Sequence, residues 1–369
     1  MSNKNFQTFF DCGYSKIRAG TFDGNEPNKA FFSESKFLSN HVDLDLEIQK
    51  IITSLEKNTN EYINEVNLMI DSPFMKSVGM TVSKNFDGSK LNQEDIQFLV
   101  QEAKQQILKY YKDKNIVHII IDNYKIDDVE YTVLPSEILC NSISIDILFI
   151  CLPKAIIEYF KSFFFKFNIS VNEIICSSYA KSVNYKNNLS LDGNISFVDI
   201  GFNKTSITSF VKNKIVSLDA LPIGGSHITK DISKVLKINL EQSENIKLNF
   251  DTSQNFLKDK SSSLDLLRKI IIARTEELLE LSTKSIKLNL INSDQYKIVL
   301  IGDGSKIVDN TYVDMISFAK NIDFLDETTQ DICNSGLRLG IRPNKQEVVV
   351  IPKKQTKQGF FEKLFLFLK

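Results

Sequence analysis

The chain has 369 residues, of which 42% are apolar and 25% charged, and its formal net charge is −1 at pH 7. That length exceeds one ordinary core and predicts two domains, while the balanced charge excludes a whole-chain attraction to nucleic acid. The five cysteines (Cys12, Cys140, Cys151, Cys176, Cys333) form no C-x-x-C and no metal spacing with the three histidines, which predicts reduced, mostly buried thiols in a cytoplasmic protein. The N-terminal MSNKNFQ is too short and polar for a signal peptide, and no apolar run reaches transmembrane length.

In chain order, FFDCGYSKIRAGTF (9–22) reads as strand, tight turn, strand, with a third strand near 30–38. DLDLEIQKIITSLEKN (43–58) carries Leu44, Ile48, Ile51, Ile52 and Leu55 at helical spacing, with acids early and lysines late, as a helix dipole prefers. VNLMID (66–71) is a buried strand, so this region is α/β. The pattern then changes. GMTVSKNF (79–86) alternates like a strand, and LNQEDIQFLVQEAKQQILKYY (91–111) is an amphipathic helix with Asn92 as N-cap and Asp95 in its first turn. VHIIIDNYKIDD (117–128) and ISIDILFICLP (143–153) read as strands, and AIIEYFKSFFFKFN (155–168) as a helix. VNEIICSSYAKSVNY (171–185) returns as strand and helix. ISFVDIGFNKTSITSF (195–210) repeats strand, turn, strand. Residues 228–291 are mainly helical, with the longest helix over 264–290. KIVLIGDG (297–304) runs from strand into a glycine turn, and SGLRLGIRP (335–343) reads as a closing helix and turn. PKKQTKQ (352–358) is a basic linker before GFFEKLFLFLK (359–369).

The two hairpins carry the chemistry. Each has an apolar run ending in aspartate (Asp11, Asp199), one residue, then glycine (Gly13, Gly201), followed by a hydroxyl and a lysine. The glycine permits a close backbone approach, turn amides and hydroxyls can cradle an anion, and the two aspartates could hold a hydrated Mg²⁺ between them. Facing hairpins of this kind would clamp a polyphosphate. Lys204 either contacts such a phosphate directly or is a solvated hairpin lysine. No nucleophile elbow or catalytic triad is present, so no catalytic residue is assigned beyond Asp199 as a candidate for positioning Mg²⁺ and water.

The ordered series of two Asp-x-Gly hairpins, PIGGSHITKDI (222–232), EQSENIK (241–247) and GDGS (302–305) resembles the actin-like ATPase superfamily and, within it, the bacterial FtsA family of cell-division proteins. That resemblance implies an α/β, two-domain actin-like fold. Its first domain would span 1–71 and 169–194, with a small α+β subdomain inserted at 72–168. The second domain would span 195–227 and 292–345, with a helical partner-binding subdomain at 228–291, followed by a basic linker at 346–358 and an amphipathic membrane-targeting helix at 359–369. It implies ATP and Mg²⁺ held by Asp11, Gly13, Tyr14, Ser15 and Lys16 of the first phosphate loop. Asp199, Gly201, Lys204, Thr205 and Ser206 would form the second. Gly224, Gly225, Glu244, Lys247, Gly302, Gly304 and Ser305 would lie around the nucleoside, Glu244 and Lys247 being otherwise a surface ion pair.

The departures from the family pattern imply slow or absent hydrolysis, since Phe202, Asn203 and Ser206 stand where residues that approach the γ-phosphate are expected. Asp303 places an anion near the nucleotide unless it faces away or accepts from the ribose. The family partners are the C-terminal peptide of tubulin-like FtsZ, met by Arg274 and Lys284, later division proteins met by the inserted subdomain, and further copies of the chain in filaments. An anionic membrane surface is the last, met by Phe360, Phe361, Leu364, Phe365, Phe367 and Leu368 at the cytoplasmic face of the cell membrane, at the division site. A terminal helix docked on the body, a pilus-assembly relative of the same fold, and an actin-fold kinase or Hsp70-like ATPase are the alternatives.

Overall fold

The computed structural model describes residues 6–26, 28–36, 44–135, 138–249, 262–289, 296–308 and 321–341. Two of its three sheets share one plan. In the first, β1 (Phe6–Cys12), β2 (Lys16–Asp23), β3 (Ala30–Lys36), β4 (Glu65–Ile70) and β9 (Ser170–Cys176) lie in the order β3-β2-β1-β4-β9. In the second, β10 (Ile195–Ile200), β11 (Thr205–Val211), β12 (Lys214–Leu221), β13 (Lys297–Ile301) and β14 (Asn321–Phe324) lie in the order β12-β11-β10-β13-β14. Each sheet begins as an antiparallel meander and adds its last two strands in parallel.

Parallel neighbours need crossovers, and helices supply them. α1 (Leu44–Thr59) connects β3 to β4; α5 (Gly225–Leu236), α6 (Leu240–Leu248) and α7 (Ser262–Asn289) lie between β12 and β13. The parallel register then decides where the polar residues fall. Asp11 is level with Met69 and Asp199 with Ile301, so strand ends that carry Asp11, Asp71, Asp199 and Gly302 gather at corresponding edges of the two sheets.

The third sheet is the inserted one: β5 (Lys76–Lys90), β6 (Lys114–Ile126), β7 (Val129–Tyr131) and β8 (Leu139–Pro153), ordered β5-β8-β6-β7 and antiparallel throughout. α2 (Gln93–Tyr110) buries Ile96, Leu99, Val100, Ala103 and Ile107 on one face of it. As expected, Asn92 begins that helix: its backbone N–H donates to Asp95 at 3.1 Å. β5 and β8 each reach 15 residues, beyond the stretches anticipated at 79–86 and 143–153: β6 pairs with Ile143–Pro153 of β8, and β5 pairs with it from Leu139 to Cys151, which adds the residues before Ile143.

α3 (Lys154–Phe165) and α4 (Ser177–Asn188) follow β8 and β9, and α8 (Thr329–Ile341) follows β14. α8 starts earlier than the expected 335 because Thr328 and Asp331 cap it reciprocally, N–H to carboxylate at 3.0 Å and N–H to hydroxyl at 3.2 Å. One continuous core, including Phe10, Leu68, Tyr179, Phe197, Val299 and Cys333, runs through both five-stranded sheets. The strands β7, β12 and β14 were not anticipated from the sequence. β7 and β14 have three and four residues, too short for a periodic signal, and partner strands supply their hydrogen bonds. The basic linker and the terminal segment, with Phe360, Phe361, Leu364, Phe365, Phe367 and Leu368, lie outside the described residues. Among the described residues no helix is long and apolar enough to cross a membrane.

Candidate functional site

The two hairpins make the same turn. Gly13 donates its N–H to the Lys16 carbonyl at 3.0 Å, and Gly201 donates to the Lys204 carbonyl at 2.9 Å. Both line one small cleft, with Asp11, Tyr14, Ser15, Lys16, Asp199, Lys204, Gly302 and Asp303 along its walls. The sequence-derived phosphate residues are thus brought together. Thr205, Ser206, Gly224, Gly225, Gly304 and Ser305 sit behind the walls and do not line the cleft.

Ion pairs fill the cleft. Lys204 Nζ lies 2.9 Å from Asp71 and 3.3 Å from the Ser178 hydroxyl and also reaches Ser206. It is buried, so the reading of a solvated hairpin lysine is overturned. Burial alone would push the Asp71 carboxyl up; Lys204 and the Ser178 hydroxyl override it and hold the pKa at about 2. Lys204 in turn is held above the ordinary lysine range, with burial opposing and Asp71 and Asp199 prevailing.

Lys181 of α4 reaches Asp199 at 2.8 Å and Glu327 at 3.2 Å. Burial opposes its charge, but these two carboxylates raise its pKa. Glu327 also accepts from Tyr185 Oη and from the Gly302 N–H, each at 2.7 Å, and burial raises its pKa. Arg18 lies 3.2 Å from Asp11, which also accepts from the Ser177 hydroxyl at 2.7 Å. Asp303 faces the first hairpin: Arg18 is 2.6 Å away and Lys16 3.1 Å.

The helix N-termini that could receive an anion are already occupied by the protein. At α4 the Ser178 N–H donates to Asp71 at 3.1 Å. At α5 the Gly225 N–H donates to the Gly201 carbonyl at 3.0 Å, and the Ser226 N–H to the Phe202 carbonyl at 2.7 Å. Gly224 is required for this packing: a Cβ there would lie 2.5 Å from the Gly201 oxygen. Gly302, at φ +87°, is required too, since its Cβ would lie 2.5 Å from Asp199 Oδ1. The Ser305 hydroxyl donates to the Gly302 carbonyl at 2.7 Å. His227 accepts the Gly224 N–H at 3.2 Å and serves as a helix-start residue.

Glu244 and Lys247 share a helical face but form a buried pair at 2.7 Å, not a surface one. Lys247 also donates to the Gly225 carbonyl and lies 5.7 Å from the Phe202 ring centre. Arg274 on α7 pairs with Asp231 at 2.7 Å and Glu277 at 2.6 Å, and exposed Lys284 pairs with Glu280 at 2.7 Å.

The expected Mg²⁺ and ATP would meet a donor set whose charges are already paired. The four cations and five carboxylates that line the cleft are matched against one another, leaving a cavity of about 90 Å³. Ligand pockets for organic molecules usually span about 300–1,000 Å³. Asp11 and Asp199, the expected partners of a hydrated Mg²⁺, each already hold a cationic side chain. Among the described residues no group of three acidic, histidine or cysteine side chains could hold a metal. The residues in this arrangement do not fit Mg·ATP.

Asp71, Lys181, Glu327, Arg18 and Ser178 were not foreseen. Asp71 carried a usable signal, since VNLMID ends an apolar strand in aspartate just as the two hairpin strands do. Lys181 and Glu327 lie in sequence that marks nothing: a polar helix and the stretch DETT.

Residues 196–341 match the family model described as cell division protein FtsA. The cell division protein FtsA of Agrobacterium fabrum is 22% identical over 246 residues, covering 62% of this chain and 55% of that protein. The chain thus spans about half the length of that relative. FtsA of Buchnera aphidicola from Acyrthosiphon pisum is 23% identical over 361 residues, 88% of this chain and 85% of that one. Among solved structures, a chain of the PilM–PilN type IV pilus biogenesis complex superposes with a TM-score of 0.62 at 10% identity, covering 91% of this chain and 96% of its own. At that identity the likeness is one of fold. By sequence the chain is similar to the cell division protein FtsA, and its fold is that of the actin-like ATPases.

Proposed function

We propose that the chain is a cell-division scaffold that ties filaments of FtsZ to the cytoplasmic face of the membrane at the division site. The match of residues 196–341 to the FtsA family carries this reading, because it spans the second hairpin, the helices α5–α7 and α8. On this reading the helical unit receives the C-terminal peptide of FtsZ, the inserted β5–β8 unit meets later division proteins, and copies of the chain assemble with one another. The terminal segment 359–369 binds anionic lipid: Phe360, Phe361, Leu364, Phe365, Phe367 and Leu368 leave water, and nearby lysines meet headgroups. Filaments carrying many copies bind far more tightly than one copy through effective concentration. Turnover of ATP is not required. An adaptor role in pilus assembly has the fold match in its favour, but the sequence relatives are cell-division proteins.

Recruitment of FtsZ to anionic vesicles tests the reading. The full chain is expected to carry FtsZ into the pellet. Deleting 359–369 should release both proteins, while Arg274→Glu should release FtsZ alone, by about 2 kcal/mol or more at a direct contact. Undiminished pelleting of the deletion would end the membrane role of this segment, and FtsZ that never pellets with the full chain would end the scaffold reading.

A further inference from the structure

We infer that the interdomain cleft is an ion-pair clasp: three bridges between the two halves of the molecule hold it closed in place of a bound nucleotide. The inference goes beyond the scaffold role and does not depend on it. Each bridge joins an element of the first sheet's half to one of the second. Lys204, from the β10–β11 hairpin, meets Asp71 at the end of β4. Lys181 of α4 meets Asp199 of β10 and Glu327, which follows β14. Lys16 and Arg18 of β2 meet Asp303, which follows β13.

A ligand that bridges two halves must present charge to both. Here the protein presents that charge itself. The carboxylate of Asp71 sits at the N-terminus of α4, and hairpin carbonyls sit at the N-terminus of α5, so the positions that suit phosphate oxygens hold protein oxygens. The lining carries four cations against five carboxylates, so a polyphosphate would add negative charge to a site already balanced toward the negative. To enter, it would have to displace buried carboxylates from their cations and leave those carboxylates unpaired, a costly exchange in a water-poor site.

The test uses the full chain with spin labels on Tyr62→Cys and Lys230→Cys. Both positions are exposed and belong to opposite halves, and the five native cysteines are buried. The expected result is one narrow distance distribution in nucleotide-free buffer with EDTA, unchanged by millimolar Mg·ATP, together with an unchanged melting midpoint. Lys204→Glu sets a third carboxylate beside Asp71 and Asp199 and should broaden the distribution. Asp303→Lys, at a half-exposed position that tolerates substitution more readily, should broaden it to a smaller degree. A broad distribution that narrows with Mg·ATP, or a melting midpoint that climbs with Mg·ATP concentration, would overturn the clasp. Charge variants that fold and keep the wild-type distance would overturn it as well.

Discussion

The hairpins at Asp11–Lys16 and Asp199–Lys204 share a turn and a backbone hydrogen bond but differ in how their aspartates are neutralised. In the first, Arg18 stands directly across the strand pair from Asp11 and neutralises it within one hairpin. In the second, the residue across from Asp199 is Ser206, which brings no charge. Asp199 therefore depends on Lys181 from another helix. The lysines differ likewise. Lys16 shares a partly exposed carboxylate, and burial together with the Arg18 charge lowers its pKa. Lys204 is deeply buried against Asp71, and its pKa is raised. One motif makes both turns, and a single cross-strand exchange of Arg for Ser makes the second hairpin reliant on the opposite half.

Removing that borrowed cation is the strongest way to break the comparison. Lys181→Met strands Asp199 and Glu327 together in a buried site. Unpairing one buried charge typically costs about 3–5 kcal/mol, and here two carboxylates lose one partner. Urea unfolding should show a loss at the upper end of that range. A loss below about 1 kcal/mol would mean that Asp199 draws its stabilisation locally, as Asp11 does.

The Lys204–Asp71 pair gives an effect of intermediate size, read through pH. The folded pKa of Asp71 is about 2 against an ordinary 3.8. A depressed carboxylate contributes stability that is complete above the unfolded pKa and disappears as pH falls through the folded one. Unfolding free energy should therefore drop by about 2 kcal/mol from this group as pH falls from about 4 to about 2. Lys204, with its raised pKa, contributes stability that is complete below 10.5 and is lost only as pH rises further. The double variant Asp71→Asn, Lys204→Met should lack the acid limb belonging to this pair. An acid limb identical to that of the wild type would assign it to other carboxylates.

The strands that build both hairpins, the helix α1 and the capped helix α2 were legible because each rests on local signals: apolar alternation, helical spacing, an Asn-x-x-Asp start. The gathering of Asp11, Gly13, Lys16, Asp199, Gly201 and Gly302 around one cleft was legible for the same reason, since Asp-x-Gly after an apolar run sets where a strand ends. What the residues do there was not legible. The burial of Lys204 and the Glu244–Lys247 pair depends on elements packed from far along the chain. Asp303 turned out to face Lys16 and Arg18 across 285 positions of sequence from the latter, a pairing that no window of residues contains.

The Lys16–Asp303 bridge should give the smallest effect, and it sharpens the comparison most. It joins the first hairpin to the second half, as Lys204–Asp71 joins the second hairpin to the first. Its carboxylate, however, is 46% exposed, against 9% for Asp71. Water therefore screens the first bridge and takes over solvation of whichever partner is left behind, and Arg18 remains beside Asp303 when Lys16 is removed. A double-mutant cycle over Lys16→Met and Asp303→Asn should give a coupling below about 1 kcal/mol. The matching cycle over Lys204→Met and Asp71→Asn should give several-fold more, because each single variant leaves a buried polar group without its charge partner. If the couplings were equal, burial would not be what separates the two hairpins. If the Lys16 cycle exceeded the other, the half-exposed bridge would be the stronger fastening, and the asymmetry drawn from Arg18 and Ser206 would point the wrong way.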